Sequence, residues 1–566
     1  MKRFFVAVGC ALIAGIAYWA LAQPAPAPIA SLFPSGAVVY LEATDFATLL
    51  ADWNASAEKT AWLGSSNYEA FSRSNLFLRL AQAQTEFAAA AGVPPDYALL
   101  QSVAGVNSAL ALYNIGNLEL LYVTHVGSAR ALDTALWKAR GSYQTRRAAG
   151  VDYYVKRDPT GFRTAAFAYS GDTLMLATTE ELIAGALELL ARQPRPSLVS
   201  EKWYADAVQA AQPGANDLRL VYNMQRLVQT PHFRSYWTQR NVPDLREFSS
   251  GVSDLERSNG QFVERRALLR STPSAPVTDE ASAGQLLALV PDDAGLYRAR
   301  LQPASGQAEH AVAEKIFSAT AIAPIASKQA PAVINEAEAG SEQDLETRID
   351  EEPLVDNRGA MVFAALRQQL SAASIQAMLE VGSARSAADQ VFVGSDSAVA
   401  LHAAAPWDAV AIRAALTSAA GSLWSNGGPG AGWRAASSGG VQELDGLAKL
   451  ALAVDGRWLI VGNSTDLVNS LFARRNLPPV AGAVYAAGWR HARELPGFER
   501  LTRLIDFPQI PAPAASAPGS EPREPMFYSE NVASLGRVLR RVQSAALTVH
   551  DTGTMLRESA VYRIAP

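Results

Sequence analysis

Two segments far apart in this chain follow the same local plan. Residues 168–182 read AYSGDTLMLATTEEL, residues 453–467 read AVDGRWLIVGNSTDL, and the two align without a gap. Each begins as a short apolar strand and returns as a second strand after a turn that contains Gly171 or Gly456. Glycine suits a tight hairpin because it adopts positive φ without steric cost. The same strand–turn–strand unit is therefore predicted at both places.

A helix is predicted to follow each hairpin. Thr178 with Glu181 forms a capping-box pattern in the first segment, and Asn463 with Asp466 takes the same positions in the second. Behind these caps, apolar residues recur at helical spacing and predict one buried stripe in each segment. The stripes are Leu182, Ile183, Ala186, Leu187 and Leu190, then Leu467, Val468, Leu471 and Phe472.

Further blocks of similar sequence occur in the same order in both halves of the chain. They are 34–40 with 291–297, 108–113 with 397–402, 221–233 with 484–498, and 260–270 with 553–563. Blocks that keep their order over this length predict a duplication of a whole domain, because each copy is too long to be a solenoid repeat. The predicted modules are 33–272 and 285–565, with a linker at 273–284.

Each module is predicted to be α+β, mainly an antiparallel sheet with helices packed on one face. In the first module a helix with Phe46 and Trp53 on its apolar stripe follows the opening strand, behind a Thr44-Asp45 cap. Helices are also predicted at about 129–140 and around Leu227. The remaining predicted elements are short strands and turns. The predicted strands are 38–43, 108–114, 118–125, 143–148, 151–156, 164–169, 173–177, 218–223, 251–258 and 261–269.

The second module differs from the first mainly by two insertions. The segment at about 302–358 is rich in Ala, Glu and Pro and ends in an acidic tail, and 508–525 is rich in Pro, Ala and Ser. The acidic tail lacks the alternating ligands and central glycine of a calcium loop. The acidic tail and the insertion at 508–525 are predicted to be exposed loops.

The N-terminus carries an export signal. Lys2 and Arg3 precede an apolar run from Phe4 to Ala22 that ends in a small-x-small pattern, and a Pro/Ala spacer fills 23–32. Residues 1–22 are thus a signal peptide or, since the run is long enough to span a bilayer, an N-terminal membrane anchor. In both cases the remaining chain is expected to be exported, periplasmic or extracellular, with membrane contact only through residues 4–22 if these are uncleaved.

Composition excludes several classes of protein. The formal net charge is -5 over 566 residues, so no dominant basic field exists to attract nucleic acid. The chain has one cysteine, Cys10, so it forms no intramolecular disulfide and no zinc site built from several thiolates.

The sequence contains no motif that assigns catalysis. The six histidines form no metal-binding spacing. Ser56 and Lys59 fit the S-x-x-K pattern of serine–lysine enzymes without the partner motifs that should follow, and the glycine-rich stretch 427–432 lacks the lysine of a phosphate loop. We therefore predict no catalytic, cofactor-binding or metal residues, no cofactor, and leave the ligand-binding residues unassigned.

Several aromatic residues have two interpretations. Tyr153, Tyr154, Tyr169, Trp203 and Tyr204 could line an apolar groove between helix and sheet, or they could pack in strands and core, where aromatics are common.

The repeated blocks resemble a family of exported bacterial proteins, domain of unknown function 3352. The resemblance rests on the Pro-x-x-Ala-x-x-Tyr strand at 34–40, the Gly-Val-x-x-Tyr strand at 150–154, and the strand–hairpin–strand–helix at 166–190. The second module matches more weakly, because Leu444 replaces the tyrosine. The resemblance implies an exported bacterial protein and brings no activity, cofactor or catalytic residue.

These features lead to one main hypothesis and two alternatives. The main hypothesis is a non-enzymatic protein of the cell envelope that binds or scaffolds an envelope protein, a peptide or an apolar ligand. The alternatives are a hydrolase whose site is assembled from distant residues, and an envelope assembly subunit. A hydrolase predicts a pocket where Ser, His or carboxylate groups converge, whereas a binding module predicts an apolar groove without them.

Overall fold

The computed structural model describes the greater part of both halves of the chain. The described residues are 28–64, 68, 72, 75–158, 163–230, 245–258, 260–276, 280–303, 306–317, 364–384, 395–424, 432–436, 440–445, 449–495 and 541–564. The predicted signal or anchor at 1–22, the first five residues of the spacer at 23–32, the acidic tail of the first insertion and the loop at 508–525 lie outside them.

The strands come in two sets along the chain. The first set is β1 (Val39–Ala43), β2 (Ser108–Asn114), β3 (Glu119–His125), β4 (Gln144–Ala148), β5 (Val151–Arg157), β6 (Thr164–Ser170), β7 (Thr173–Ala177), β8 (Leu218–Tyr222), β9 (Phe248–Ser258) and β10 (Gln261–Arg270). The second set is β11 (Leu296–Leu301), β12 (Ile375–Ala384), β13 (Ser395–Ala403), β14 (Trp433–Ala435), β15 (Gln442–Asp445), β16 (Lys449–Asp455), β17 (Trp458–Gly462), β18 (Tyr485–Arg490), β19 (Val542–Asp551) and β20 (Met555–Ile564).

Helices connect these strands. In the first half they are α1 (Phe46–Ala55), α2 (Ala57–Leu63), α3 (Asn75–Ala91), α4 (Tyr97–Val103), α5 (Ser128–Asp133), α6 (Ala135–Ala139), α7 (Glu180–Leu190), α8 (Lys202–Ala210) and α9 (Met224–Leu227). In the second half they are α10 (Glu280–Leu289), α11 (Gln307–Phe317), α12 (Ala364–Ala372), α13 (Ala409–Trp424) and α14 (Thr465–Ala473). Helix α10 begins inside the predicted linker, so the first element of the second half starts at Glu280.

All the described strands join one antiparallel sheet of 20 strands. The first half runs β4–β5–β6–β7–β3–β2–β1–β8–β9–β10. The second runs β20–β19–β18–β11–β12–β13–β17–β16–β15–β14, and β10 pairs with β20 at the seam between them. Read outward from this seam, the two halves have the same strand order, which is the order a duplicated module would produce. The duplication itself stays a prediction.

The strand order corrects one of the aligned sequence blocks. Residues 397–402 lie in β13, whose position in the sheet corresponds to β3, whereas 108–113 lie in β2, which corresponds to β12. Both blocks are alternating apolar strands, so their sequence similarity reflects shared burial rather than position. The other blocks, including 168–182 with 453–467, fall on corresponding elements as far as their residues are described. Residues 231–233 and 496–498 lie outside the described residues.

The α+β class and the antiparallel sheet are confirmed, whereas the placement of the helices differs from the prediction. Helices cover both faces of the sheet. In β6, Phe167 packs in the cluster that contains α4 residues, and its neighbours Ala166 and Ala168 pack with Ile183 of α7 on the opposite face. Apolar residues at consecutive strand positions therefore signal a sheet covered on both sides, as expected when side chains alternate between faces.

The hairpins of the two opening segments form as predicted, while the caps shift by one residue. Gly171 and Gly456 have φ of 64° and 57° at the two turns. Thr179 and Ser464, not Thr178 and the asparagine at 463, are the N-cap residues.

The residues predicted as caps instead form hydrogen bonds between the start of the helix and the neighbouring strand. The Thr178 hydroxyl accepts the amide of Leu120 in β3 at 2.9 Å, and the Asn463 side-chain oxygen accepts the amide of Ser397 in β13 at 2.7 Å. The two interactions occupy corresponding places in the two halves. Cross-strand bonding competes with capping for a polar side chain at this position.

Within the described part of the chain, no helix combines the length and apolar character needed to cross a membrane.

Candidate functional site

An apolar cavity of about 520 Å³ lies in the first half, between the sheet and helices α1, α3 and α4. Its floor is a row of side chains from four adjacent strands. The sheet register places Leu41 opposite Leu110, Leu110 opposite Tyr122, and Tyr122 opposite Leu176. Residues that are directly opposed across strands project from the same face of a sheet. We call this space the inner cavity.

The helices supply the walls of the inner cavity. Phe46 comes from α1, Ala83 and Phe87 from α3, and Leu99 and Val103 from α4. The cavity exists because small side chains, including Ala83 in the wall, leave space that larger ones would fill. Its volume falls in the range typical of small-molecule sites in proteins.

Polar groups at the boundary of the inner cavity bond to the protein. The Tyr122 hydroxyl donates to the Val103 carbonyl at 2.9 Å, and burial raises the pKa of that hydroxyl, so it stays a neutral donor. Asp96 accepts the Leu99 amide at 2.9 Å as the N-cap of α4. Arg163 pairs with Glu86 at 2.6 Å. These bonds leave the interior surface mostly apolar.

A second space of about 790 Å³ lies on the other side of α1, towards the seam. Leu49 and Trp53 of α1 face it from above, and Leu255, Phe262 and Ile564 face it from β9, β10 and β20. Its lining includes the charged residues Glu58, Asp217 and Arg257. We call this space the outer cavity. The inner cavity has Asp96 and Arg163 at its boundary.

Two residues line both cavities. Phe46, the first residue of α1, and Leu218, the first residue of β8, line both spaces. Ala43 at the end of β1 lies opposite Leu218 in the sheet. The turn from β1 into α1 therefore lies beside both cavities.

The residues considered for catalysis have structural roles. The Ser56 hydroxyl is the N-cap of α2 and accepts the Lys59 amide at 3.1 Å, while the Lys59 ammonium donates to Asn54. The S-x-x-K pattern is thus a helix start. Among the described residues, no group of three His, Cys, Asp or Glu is placed to hold a metal ion. Most of the stretch 427–432 and His232 lie outside the described residues.

The aromatic residues considered for a groove pack elsewhere. Tyr153, Trp203 and Tyr204 belong to the core on the opposite face of the sheet, and the Tyr153 hydroxyl donates to Glu180 at 2.8 Å. Tyr154 and Tyr169 pack around Trp137, at ring distances of 5.7 and 6.3 Å. None of these residues is among those that line the inner cavity.

Sequence reasoning missed two of the three helices around the inner cavity, α3 and α4. Helix α3 spans 17 residues and is followed by Gly92 with φ of 68° and then by two prolines. A run of helix-forming residues that ends in such a glycine is a recognisable C-terminal signal. Asp96 before α4 is the matching start signal. Both helices could have been predicted, but their position over the sheet could not.

Comparisons with known proteins place the chain in no family. No family model matches the chain, and no curated protein matches it. Among solved structures, crystal forms I, III and IV of a protein designated TP0453 are similar to part of it. In that order, the sequence identities are 12%, 10% and 9%, and the TM-scores are 0.26, 0.24 and 0.23. The matches cover 45%, 44% and 42% of this chain, and 82%, 81% and 79% of the TP0453 chain. At these TM-scores the likeness supports no conclusion about fold or function.

Proposed function

We propose that this chain is a non-enzymatic, extracytoplasmic binding protein and that the inner cavity takes an apolar ligand. The observation that carries the proposal is the cavity itself, with a floor of Leu41, Leu110, Tyr122 and Leu176 whose one hydroxyl is already bonded to protein. Burying apolar ligand surface there is favourable at roughly 25 cal/mol per Å². The ligand would need few polar groups, because the walls offer few.

The geometry favours an apolar molecule over a peptide. The strands beneath the cavity, including β1, β2 and β3, are paired on both sides, so they offer no free edge for an added strand. A peptide backbone in an apolar cavity would leave amides and carbonyls without partners, which is costly. Hydrocarbon chains have no such requirement.

The extracytoplasmic location rests on the N-terminal sequence and on the resemblance to the exported family. Residues 1–22 have the charge, length and small-residue ending of a signal. Sequencing the N-terminus of the mature protein tests this part of the proposal. A start at Gln23 means cleavage, a start at Met1 with membrane fractionation means a retained anchor, and recovery of full-length protein in the cytoplasm would contradict export.

A pair of variants on one helix tests ligand binding. Ala83 on α3 lines the inner cavity, while Ala89 on the same helix is exposed and does not. We expect Ala83→Trp to fill the cavity and weaken binding of a neutral apolar dye, N-phenylnaphthylamine, by about tenfold or more. Ala89→Trp should bind as the parent does. Equal binding by both variants, or none by the parent, would contradict the proposal.

Native mass spectrometry gives an independent measurement. The parent purified from its own membrane-containing lysate should carry apolar molecules that are released on denaturation, and the Ala83→Trp variant should carry less. A parent that contains no such molecule and that hydrolyses a generic ester panel would favour the hydrolase alternative instead.

A further inference from the structure

The two cavities differ in chemistry in a way that matches the two ends of an amphipathic molecule. The inner cavity has a mostly apolar lining, and the outer cavity combines apolar residues of α1 with three charged lining residues. Phe46 and Leu218 line both, so a molecule that passes between them would have one end in each space. This adjacency is a property of the tertiary structure, since the two residues are far apart in the chain.

We propose that the two cavities form one site for a single-chain amphipath. The acyl tail occupies the inner cavity, the polar head occupies the outer cavity, and Phe46 with Leu218 forms the neck between them. This inference rests on the proposed function, because it assumes that the inner cavity binds an apolar chain. Beyond the proposed function, it specifies the class of ligand and which end of the ligand lies in which cavity.

The span of the site fits a long chain. The residues that line the two cavities extend from β6 to β20 across the order β6–β7–β3–β2–β1–β8–β9–β10–β20. Neighbouring strands lie about 4.8 Å apart, so this part of the sheet is roughly 40 Å wide. A short ligand would leave one of the two cavities unfilled.

The charges around the outer cavity indicate the kind of head group. Glu58 pairs with Arg541 at 3.0 Å, Arg257 pairs with Asp52, and the Arg257 amide donates to Asp217 at 2.6 Å. Three carboxylates and two guanidinium groups thus lie at or beside the lining. The balance is close to neutral with an excess of negative charge, which disfavours an anionic head. A zwitterionic head can pair its cation with a carboxylate and its anion with a guanidinium.

The test compares two lipids that share one tail, with a neutral apolar dye alongside them. Palmitoyl lysophosphatidylcholine has a zwitterionic head, palmitoyl lysophosphatidylglycerol has an anionic head, and N-phenylnaphthylamine has neither. Calorimetry on the full chain below the micelle concentrations should show the zwitterionic lipid binding about tenfold more tightly than the anionic lipid. Equal affinities for the two lipids would overturn the proposed head site.

A charge reversal should exchange the preference. Glu58 lies in the first turn of α2, and Glu181 lies in the first turn of α7, which packs on the opposite face of the sheet. Glu58→Lys should raise the affinity for the anionic lipid above that for the zwitterionic one. Glu181→Lys makes the same change at an equivalent helix position away from the site and should leave the preference unchanged. A Glu58→Lys variant with the parent preference would contradict the assignment.

Substitution at Phe46 tests whether the cavities are one site. Phe46→Ala widens the neck and should strengthen binding of lipids with bulkier, branched tails, whereas Phe46→Trp should weaken binding of the palmitoyl lipids by about tenfold. Thermal unfolding of each variant controls for folding. The proposed function stands if the dye binds the parent and Ala83→Trp weakens that binding. The proposal that the two cavities form one site fails if, in the same experiments, no variant at Glu58 or Phe46 changes lipid affinity.

Discussion

Arg266 and Glu558 lie opposite each other across the seam that joins the two halves, with Nη1 of the arginine 3.3 Å from Oε2 of the glutamate. The sequence alignment matches Arg266 with Ser559 and Arg265 with Glu558, and the register pairs Arg265 with Ser559. When each residue of one cross-strand pair is replaced by its aligned counterpart in the other half, the result is the other pair. This is the relation that a two-fold axis produces in an interface between identical partners.

The stability of the seam is predicted to depend more on hydrogen bonds from a side-chain amide than on the Arg266–Glu558 ion pair. Gln212 donates its side-chain amide to the carbonyls of Arg266 and Glu558, at 2.9 and 3.0 Å, and so contacts both halves. Gln212→Leu leaves two carbonyls without that donor and should lower the free energy of unfolding by about 1–3 kcal/mol.

The control at the seam is Arg266→Gln. The arginine side chain is 40% exposed, so water screens the pair and the loss should stay below about 1 kcal/mol. Urea denaturation measures both variants, and a larger effect for the arginine would contradict this ranking.

Tyr122→Phe tests the bonding at the floor of the inner cavity. The hydroxyl donates to the Val103 carbonyl at the end of α4 and lies 3.2 Å from the Ser108 hydroxyl. Removing it leaves a buried carbonyl with one partner fewer and should cost about 1–2 kcal/mol of unfolding free energy. The cavity keeps its apolar floor, so dye affinity should change less than twofold. A large loss of affinity would mean that the hydroxyl bonds to the ligand.

Gly105→Ala is expected to be among the most damaging small substitutions. A Cβ at Gly105 would lie 2.1 Å from the His125 carbonyl oxygen and 2.2 Å from the Thr124 hydroxyl oxygen. The carbonyl belongs to strand β3, so the backbone must shift, at a cost of about 3 kcal/mol. Gly141→Ala is the control, because a Cβ there meets no atom within 4 Å and should change stability by less than about 1 kcal/mol. Calorimetric melting temperatures separate the two.

Glu494 is predicted to make stability depend on pH. Burial raises the pKa of its carboxyl above the ordinary value of 4.5, although its side chain accepts the Ala384 amide at 3.0 Å. The folded state therefore holds this proton more tightly than the unfolded state does. Its contribution is fully present below the unfolded pKa and is lost as pH rises through the folded pKa.

Glu494→Gln removes this titration and keeps an oxygen that can accept the Ala384 amide. The variant should be more stable than the parent at neutral pH and should have a shallower slope of unfolding free energy against pH just above 4.5. Urea titrations at several pH values measure the slope. Parallel curves for the variant and the parent would contradict the assignment.

Local structure followed from local sequence in most of the first half. The helix behind Asp45, the hairpin at Gly171 and the strand pair at 251–269 form where their patterns predict them. The predicted helix at 129–140 forms as two shorter ones, because Thr134 has extended φ and ψ and caps the second. Thr178 did not cap its helix, since a neighbouring strand offered its side chain another partner.

The sequence by itself determined the alternation of strands and helices, the turns, and the repetition of one plan in both halves. These depend on φ preferences, on side-chain periodicity and on residues within a few positions of each other. Only the tertiary structure decided that Leu41, Leu110, Tyr122 and Leu176 form one row, that Phe46 and Leu218 line the same two cavities, and that β10 pairs with β20. Those relationships join residues distant in the chain, and packing and strand pairing across the whole sheet, rather than local preference, bring them together.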